Sequence, residues 1–238
     1  VGRLGAAPTA AVNTAFFATW ILEALTYLTA VGLLAYVSRA IGAGDRRRAG
    51  VASAQGMLLG VVLGLATAVL AWFGVPILFH ALSDAPAVTE PGITYLRTLY
   101  LAAPLMFLFV NGESVMRAAG NTRRPLVLTG CMVLLNMILD PLLIFGVGPF
   151  PRLEVFGAAI ATVIAQMGAV VAFAVHAWRR HADFPLHRPA LRRLHMPMVV
   201  DFLRLGAPSL SIGVLFSSVY LFLSGVAARL GTVEMAIL

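Results

Sequence analysis

Six apolar segments divide this chain, and each is long enough to cross the hydrocarbon core of a bilayer as a helix. A helix rises about 1.5 Å per residue, so about 20 apolar residues span the roughly 30 Å of hydrocarbon. Of the 238 residues, 60% are hydrophobic and only 11% are charged. Soluble domains carry about 25% charged residues, so the chain is predicted to be an all-α integral membrane protein. The predicted spans are residues 11–41, 51–78, 99–115, 126–147, 156–178 and 202–226.

The basic residues are distributed unevenly between the two ends of these spans. All 17 are arginine, and they give a net charge of +7. Thirteen lie next to alternate turns, namely Arg39, Arg46, Arg47, Arg48, Arg117, Arg123, Arg124, Arg179, Arg180, Arg188, Arg192, Arg193 and Arg204. This asymmetry predicts that those turns are cytoplasmic, and it argues against nucleic-acid binding. Both ends of the chain are then outside, so a further helix is expected upstream of Val1.

One acidic residue stands out because it lies deep inside an apolar segment. Asp140 is in the segment 126–147, four residues after Asn136, and the two therefore share a helix face. Exposing a carboxylate to lipid at that depth costs at least about 2.5 kcal/mol, so Asp140 is expected to face protein or a wet cavity. Pro141 cannot donate to the carbonyl of Met137, which leaves that oxygen free nearby. We predict a site for a small cation or a proton; the alternative is a hydrogen bond that packs two helices together.

The next apolar segment presents an oxygen ligand at the same depth. Asp140 lies roughly 10 Å from the outer end of its helix, and Thr162 lies roughly 9 Å from the outer end of the next one. Gln166 is one turn deeper on the same face as Thr162. Gln166 and Met137 are therefore predicted as cavity residues beside the Asn136, Asp140 and Thr162 cation site.

Two other carboxylates lie within or near the spans. Glu23 either lines the cavity and attracts a cationic substrate, or accepts a hydrogen bond from Thr19, Thr26 or Tyr27. Glu113 precedes Arg117 by four residues, and this spacing predicts an ion pair on one helix face.

Three stretches resemble the multidrug and toxic compound extrusion (MATE) transporter family. They are residues 39–45 (RAIGAGD), residues 116–125 (MRAAGNTRRP), and residues 135–146 (LNMILDPLLIFG) followed by 157–162 (GAAIAT). Their order and spacing cover most of the chain. The resemblance implies a MATE-like helical bundle in which this chain supplies six of an expected twelve transmembrane helices, helices two to seven.

The resemblance also implies a function. Family members are secondary antiporters that export organic cations, drugs or metabolites by alternating access, coupled to Na⁺ or H⁺. We therefore expect no enzyme activity and no cofactor besides the coupling ion. The expected setting is a monomer in the bacterial inner membrane, with a small cationic substrate as its partner.

The branch of the family that resembles DinF indicates which residues bind the coupling ion. It uses an Asp on helix one, an Asn and an Asp four residues apart on helix five, and a Thr on helix six. Asn136, Asp140 and Thr162 match the last three, whereas the helix-one Asp would precede Val1. In another branch the acidic residue is on helix seven, but residues 208–218 contain no carboxylate.

The expected organisation has three parts. Residues 1–182 form an amino-terminal lobe without its first helix, residues 183–201 form a cytoplasmic linker between lobes, and residues 202–238 begin the carboxy-terminal lobe. The alternative function is a flippase for a lipid-linked saccharide, which would line its cavity with arginines. A membrane-embedded enzyme is disfavoured, because neither His-Glu-x-x-His nor Gly-x-Ser-x-Gly occurs.

Overall fold

A computed structural model describes residues 6–82, 85–179 and 185–230, and this part of the chain is helical without any strand. A short 3₁₀-helix lies before the last α-helix. The elements in chain order are α1 (Ala6–Gly42), α2 (Arg46–Leu82), α3 (Pro86–Leu101), α4 (Ala103–Ala118), α5 (Arg123–Phe145), α6 (Glu154–Arg179), the 3₁₀-helix Arg188–Arg192 and α7 (Met196–Leu230).

The prediction of an all-α multi-pass membrane protein is confirmed. Five helices are long and apolar enough to span a membrane, and a bent pair, α3 with α4, makes a sixth candidate. The two halves of that pair meet at Ala102 with a bend of 49°. Pro104 is in the first turn of α4, where a missing backbone N–H costs little, so it begins the second half of the pair.

The third span begins earlier than the sequence predicts. Hydrophobicity predicted a start at residue 99, whereas α3 starts at Pro86. Glu90 and Arg97 interrupt the apolar pattern of α3. The Arg97 guanidinium is accommodated because it donates 2.7 and 3.1 Å hydrogen bonds to the Trp72 carbonyl and lies 4.6 Å from the centre of the Trp72 ring. The charged residues of α3 therefore made the predicted third span start too late.

Helix α1 is the central element, because it packs against α2, α3, α4 and α7. One buried cluster lies around Leu33 and Phe202, and a second lies around Phe79 and Phe107. Helix α5, in contrast, packs mainly on α6. The structure thus contains a group of helices around α1, against which α6 packs through α3 and α4, and α5 is attached mainly through α6.

Helices α1 and α7 lie antiparallel along most of their length. Tyr36 donates a 2.7 Å hydrogen bond to Asp201 at one end, and Ser217 donates a 2.6 Å hydrogen bond to the Phe17 carbonyl at the other. Gly32 permits this approach: a Cβ atom there would lie 2.5 Å from the Phe202 Cα. Helix α7, the predicted first helix of the carboxy-terminal lobe, is therefore packed against α1 of the predicted amino-terminal lobe.

The described part of the predicted linker is held against α2 by one buried side chain. Gln55 Nε2 donates to the carbonyls of Ala190 (2.6 Å) and Arg193 (2.9 Å), and its Oε1 accepts from the His195 backbone N–H (2.6 Å). Helix α7 begins at Met196, so residues 196–201 of the predicted linker are helical. The predicted boundary between residues 182 and 183 lies outside the described residues.

Replacing Gly32 by alanine is expected to destabilise the α1–α7 contact. The added methyl group would collide with the Phe202 backbone, and overpacking of this kind costs about 1–3 kcal/mol. Thermal unfolding of the purified chain in detergent tests this. Gly74→Ala is the matched control, because nothing lies within 4 Å of its Cβ position. Equal melting temperatures for the two variants would contradict the packing described here.

Candidate functional site

The turn between α5 and α6 brings the polar residues of the two helices to the same level. Gly146 ends α5 in the left-handed conformation at φ 70°, which favours glycine. The Leu153 backbone N–H then donates a 2.9 Å hydrogen bond to the Leu143 carbonyl. Gly157 lies so close to α5 that a Cβ atom would be 2.5 Å from the same carbonyl oxygen. Helix α6 therefore begins directly against the end of α5.

The three predicted cation ligands meet at this contact. Asn136 Nδ2 lies 3.4 Å from Asp140 Oδ1 and 3.3 Å from Thr162 Oγ1. The Thr162 hydroxyl donates its proton to the Ala158 carbonyl at 3.0 Å, so its lone pairs are directed to Asn136. All three side chains are partly buried. The structure brings together the residues that spacing and depth had grouped.

The chemistry of this cluster suits a small hard cation or a proton. A carboxylate, an amide and a hydroxyl offer oxygen ligands, which Na⁺-like ions prefer over nitrogen or sulfur. Asp140 is the one ionisable side chain of the three, so a single positive charge balances it. Among the described residues, no group of three or more His, Cys, Asp or Glu side chains is placed to hold a metal ion.

Tyr95 on α3 is a polar residue that the sequence did not associate with this site. Its partly buried side chain lies within electrostatic range of the Asp140 carboxylate. The predicted third span begins at residue 99, so Tyr95 lies outside it. The signal that could have indicated Tyr95 is the occurrence of a polar side chain near the outer end of a span.

The two predicted cavity residues near the cluster differ in position. Gln166 is partly buried one turn below Thr162 on α6. Met137 lies on the open side of α5, and 64% of its surface is exposed. Gln166 is therefore partly covered by the protein, whereas Met137 is largely exposed.

The predicted hydrogen bond of Glu23 is present in the structure. Its Oε1 accepts a 3.1 Å hydrogen bond from the Tyr27 hydroxyl, one of the three candidate donors. Glu23 also lines a cavity of about 230 Å³ between α1 and α7, with Trp20 and Phe216 among the other walls. The cavity thus combines a carboxylate with aromatic rings.

A second polar contact joins α5 to α4. The predicted ion pair exists, with Arg117 Nη1 3.4 Å from Glu113 Oε2. The other carboxylate oxygen accepts a 2.5 Å hydrogen bond from the Thr129 hydroxyl on α5. Thr129, Asn136 and Asp140 are spaced i, i+7 and i+11, so they form one polar stripe along α5. The sequence pattern did not predict the Thr129 contact because Glu113 lies on another helix.

Comparisons of the sequence with known proteins agree on one group of transporters. The model of the MatE family matches residues 1–142. The FAD transporter of Shewanella oneidensis is 35% identical over 171 residues, which cover 71% of this chain and 38% of the relative. The multidrug export protein MepA of Staphylococcus aureus is 29% identical over 219 residues, which cover 91% of this chain and 47% of the relative.

Solved structures resemble the fold described above. An inward-facing multidrug resistance MATE family transporter of the MOP superfamily matches with a TM-score of 0.89 and 26% identity, over 98% of this chain and 52% of that one. An outward-facing one matches with a TM-score of 0.78 and 26% identity, over 90% of this chain and 47% of that one. The chain thus spans about half the length of these proteins or less.

Replacing Thr129 by valine is expected to destabilise the α4–α5 contact. The Glu113 side chain, only 13% exposed, would lose a hydrogen bond, and bonds to charged groups contribute about 1.5–3 kcal/mol. Thr129→Ser keeps the hydroxyl and serves as the control. Thermal unfolding in detergent should separate the two variants. A serine variant as unstable as the valine variant would show that the methyl group, and not the hydroxyl, matters.

Proposed function

This chain belongs to the MatE family of membrane transporters, and from that premise we propose that it is part of a cation-coupled antiporter that exports organic cations. The observation that carries the proposal is the Asn136, Asp140 and Thr162 cluster, in which a single carboxylate lies among oxygen ligands inside a predicted span. Such a carboxylate is costly to keep in a membrane and is therefore a functional candidate. Asp140 would hold Na⁺ or a proton in one state and release it in the other.

The Asn136 amide is suited to both the ion-free and the ion-bound state of Asp140. In the structure its Nδ2 group faces Asp140 and Thr162, so it can donate to a carboxylate that carries negative charge. Rotation of the amide would present its oxygen to the same space and complete an oxygen ligand set for Na⁺. A change of one side-chain torsion can therefore accompany ion binding.

The cavity between α1 and α7 supports a cationic substrate. Glu23 supplies a negative charge, and Trp20, Tyr27 and Phe216 supply aromatic faces that attract cations. We further propose a monomer in the inner membrane of a bacterium, with Na⁺ or H⁺ as the coupling ion and no other cofactor.

A second candidate substrate is a flavin nucleotide, because one relative is an FAD transporter. Its negative charges would be repelled by Glu23, which favours the organic cation. The same repulsion disfavours a lipid-linked saccharide carrying phosphate groups. Export assays with a cationic dye and with a flavin nucleotide distinguish these substrates directly.

Asp140→Asn is expected to reduce ion-coupled export at least about tenfold, because the amide cannot carry the charge that binds the ion. Efflux of a cationic dye from vesicles measures this, and immunoblotting of membranes checks insertion. Glu90→Gln removes an exposed carboxylate from α3 and should leave efflux unchanged. Undiminished efflux by Asp140→Asn at equal abundance would refute the role of Asp140.

Thr162→Val distinguishes Na⁺ from H⁺ as the coupling ion. If Na⁺ binds directly, losing the hydroxyl ligand should raise the Na⁺ concentration for half-maximal export about tenfold, whereas Thr162→Ser should resemble the unmodified chain. If a proton couples transport, the two variants should respond alike to Na⁺. Dye efflux at fixed pH and varied Na⁺ concentration gives the answer.

A further inference from the structure

A basic pocket lies between the cytoplasmic ends of α5 and α6, away from the predicted cation site. Its volume is about 750 Å³. Its cytoplasmic position follows from the arginine distribution described above. The residues that line it are Asn121, Arg123, Arg124, Val127, Leu128, Ala172, Val175, His176 and Arg179.

The polar part of this pocket is suited to an anion. Three of the nine lining residues are arginines, one is histidine, and no carboxylate is among them. Arg124 Nη1 lies 2.9 Å from His176 Nε2, and a guanidinium can only donate, so Nε2 is the acceptor. Arg123 and Arg179 are exposed and lie on opposite sides of the pocket, on α5 and α6. Planar guanidinium groups bind phosphate through paired hydrogen bonds.

The remaining part of the pocket is apolar and exposed. Val127 and Val175 are 54% and 42% exposed, and Leu128 and Ala172 lie beside them. An arginine cluster next to exposed valines fits a ligand that has an anionic head and hydrocarbon chains. A soluble anion would leave the apolar part uncovered.

We propose that this pocket binds the phosphate headgroup of an anionic phospholipid in the cytoplasmic leaflet. Basic pockets between transmembrane helices on the cytoplasmic side are a known form of lipid site. The pocket between α1 and α7 near Arg39 differs, because Asp45 and Asp201 also line it and reduce its positive charge. The inference does not rest on the transport proposal, since it uses only the pocket and the membrane orientation.

A bound headgroup would connect the ends of α5 and α6. Arg123 belongs to the first turn of α5, and Arg179 is the last residue of α6. The same two helices carry Asn136, Asp140 and Thr162 further along. The lipid would therefore limit how far the α5–α6 pair can separate at its cytoplasmic end.

The test compares two double variants of the chain, purified in detergent. Arg123→Gln with Arg179→Gln removes two pocket arginines. Arg46→Gln with Arg47→Gln removes two exposed arginines at the same membrane face, outside the pocket. Binding of phosphatidylglycerol and of phosphatidylcholine is measured by native mass spectrometry, with inorganic phosphate as a competitor.

The unmodified chain should retain phosphatidylglycerol in preference to phosphatidylcholine. The pocket variant should bind phosphatidylglycerol at least about tenfold more weakly, and the control variant should change less than about threefold. Millimolar inorganic phosphate should not displace the lipid. Equal losses in both variants would show general surface charge and overturn the proposal, as would full displacement by inorganic phosphate.

A second measurement uses only the unmodified chain, so its result does not depend on whether a variant folds. A phosphatidylglycerol analogue with a photoreactive headgroup is cross-linked to the unmodified chain, and the labelled peptides are identified. Labelling should concentrate on residues 121–128 and 172–179. Labelling confined to residues 39–48 would overturn the assignment to the α5–α6 pocket.

Discussion

A polar side chain in the hydrocarbon of a bilayer must find its partner inside the protein, and this requirement organises the group of helices around α1. Asn111 donates a 2.9 Å hydrogen bond to the Gly56 carbonyl of α2 and accepts one of 2.8 Å from Thr29 of α1. Tyr100 donates a 2.9 Å hydrogen bond to the Ala18 carbonyl. Among the described residues, no buried side-chain nitrogen or oxygen lacks a partner. Each of these bonds joins different helices, so a few polar residues determine how α1, α2, α3 and α4 are arranged.

The α5–α6 pair is held differently, and this difference explains where the candidate site lies. The buried residues of α5 are Pro125, Leu143 and Ile144, at the two ends of the helix. Its middle is joined to α6 by the 3.3 Å contact from Asn136 to Thr162, long for a hydrogen bond of this type. A site that must bind and release an ion needs ligands that can rearrange. Helix α5, which has no buried residue between Pro125 and Leu143, leaves its side chains more room to rearrange than the helices around α1 do.

Periodicity and hydropathy predicted much of this structure, because both depend on residues that are near in sequence. The six spans, the i, i+4 pair Asn136 and Asp140, and the Glu113–Arg117 ion pair are all local patterns. Depth along two consecutive helices predicted that Thr162 lies level with Asp140, and in the structure Thr162 contacts Asn136, four residues from Asp140. The contacts that sequence reasoning missed, such as Glu113 with Thr129, join residues on different helices. Gln55 is the clearest example, since its three partners lie 135 or more residues away.

Three polar contacts lie along α5 between the basic pocket and the candidate cation site. Near the cytoplasmic end, Arg124 contacts His176. Further along the helix, Thr129 is hydrogen-bonded to Glu113 of α4. Asn136 contacts Thr162 closer to the outer end. Arg124 and Asp140 are 16 residues apart, or roughly 24 Å along a helix. Pro141 leaves the Met137 carbonyl without its backbone partner, so α5 can bend there, whereas the part from Thr129 to Asn136 has no proline and would tilt as one segment. Because the Thr129 contact lies between the other two, a tilt of α5 at its outer end must change its contacts with both α4 and the cytoplasmic end of α6.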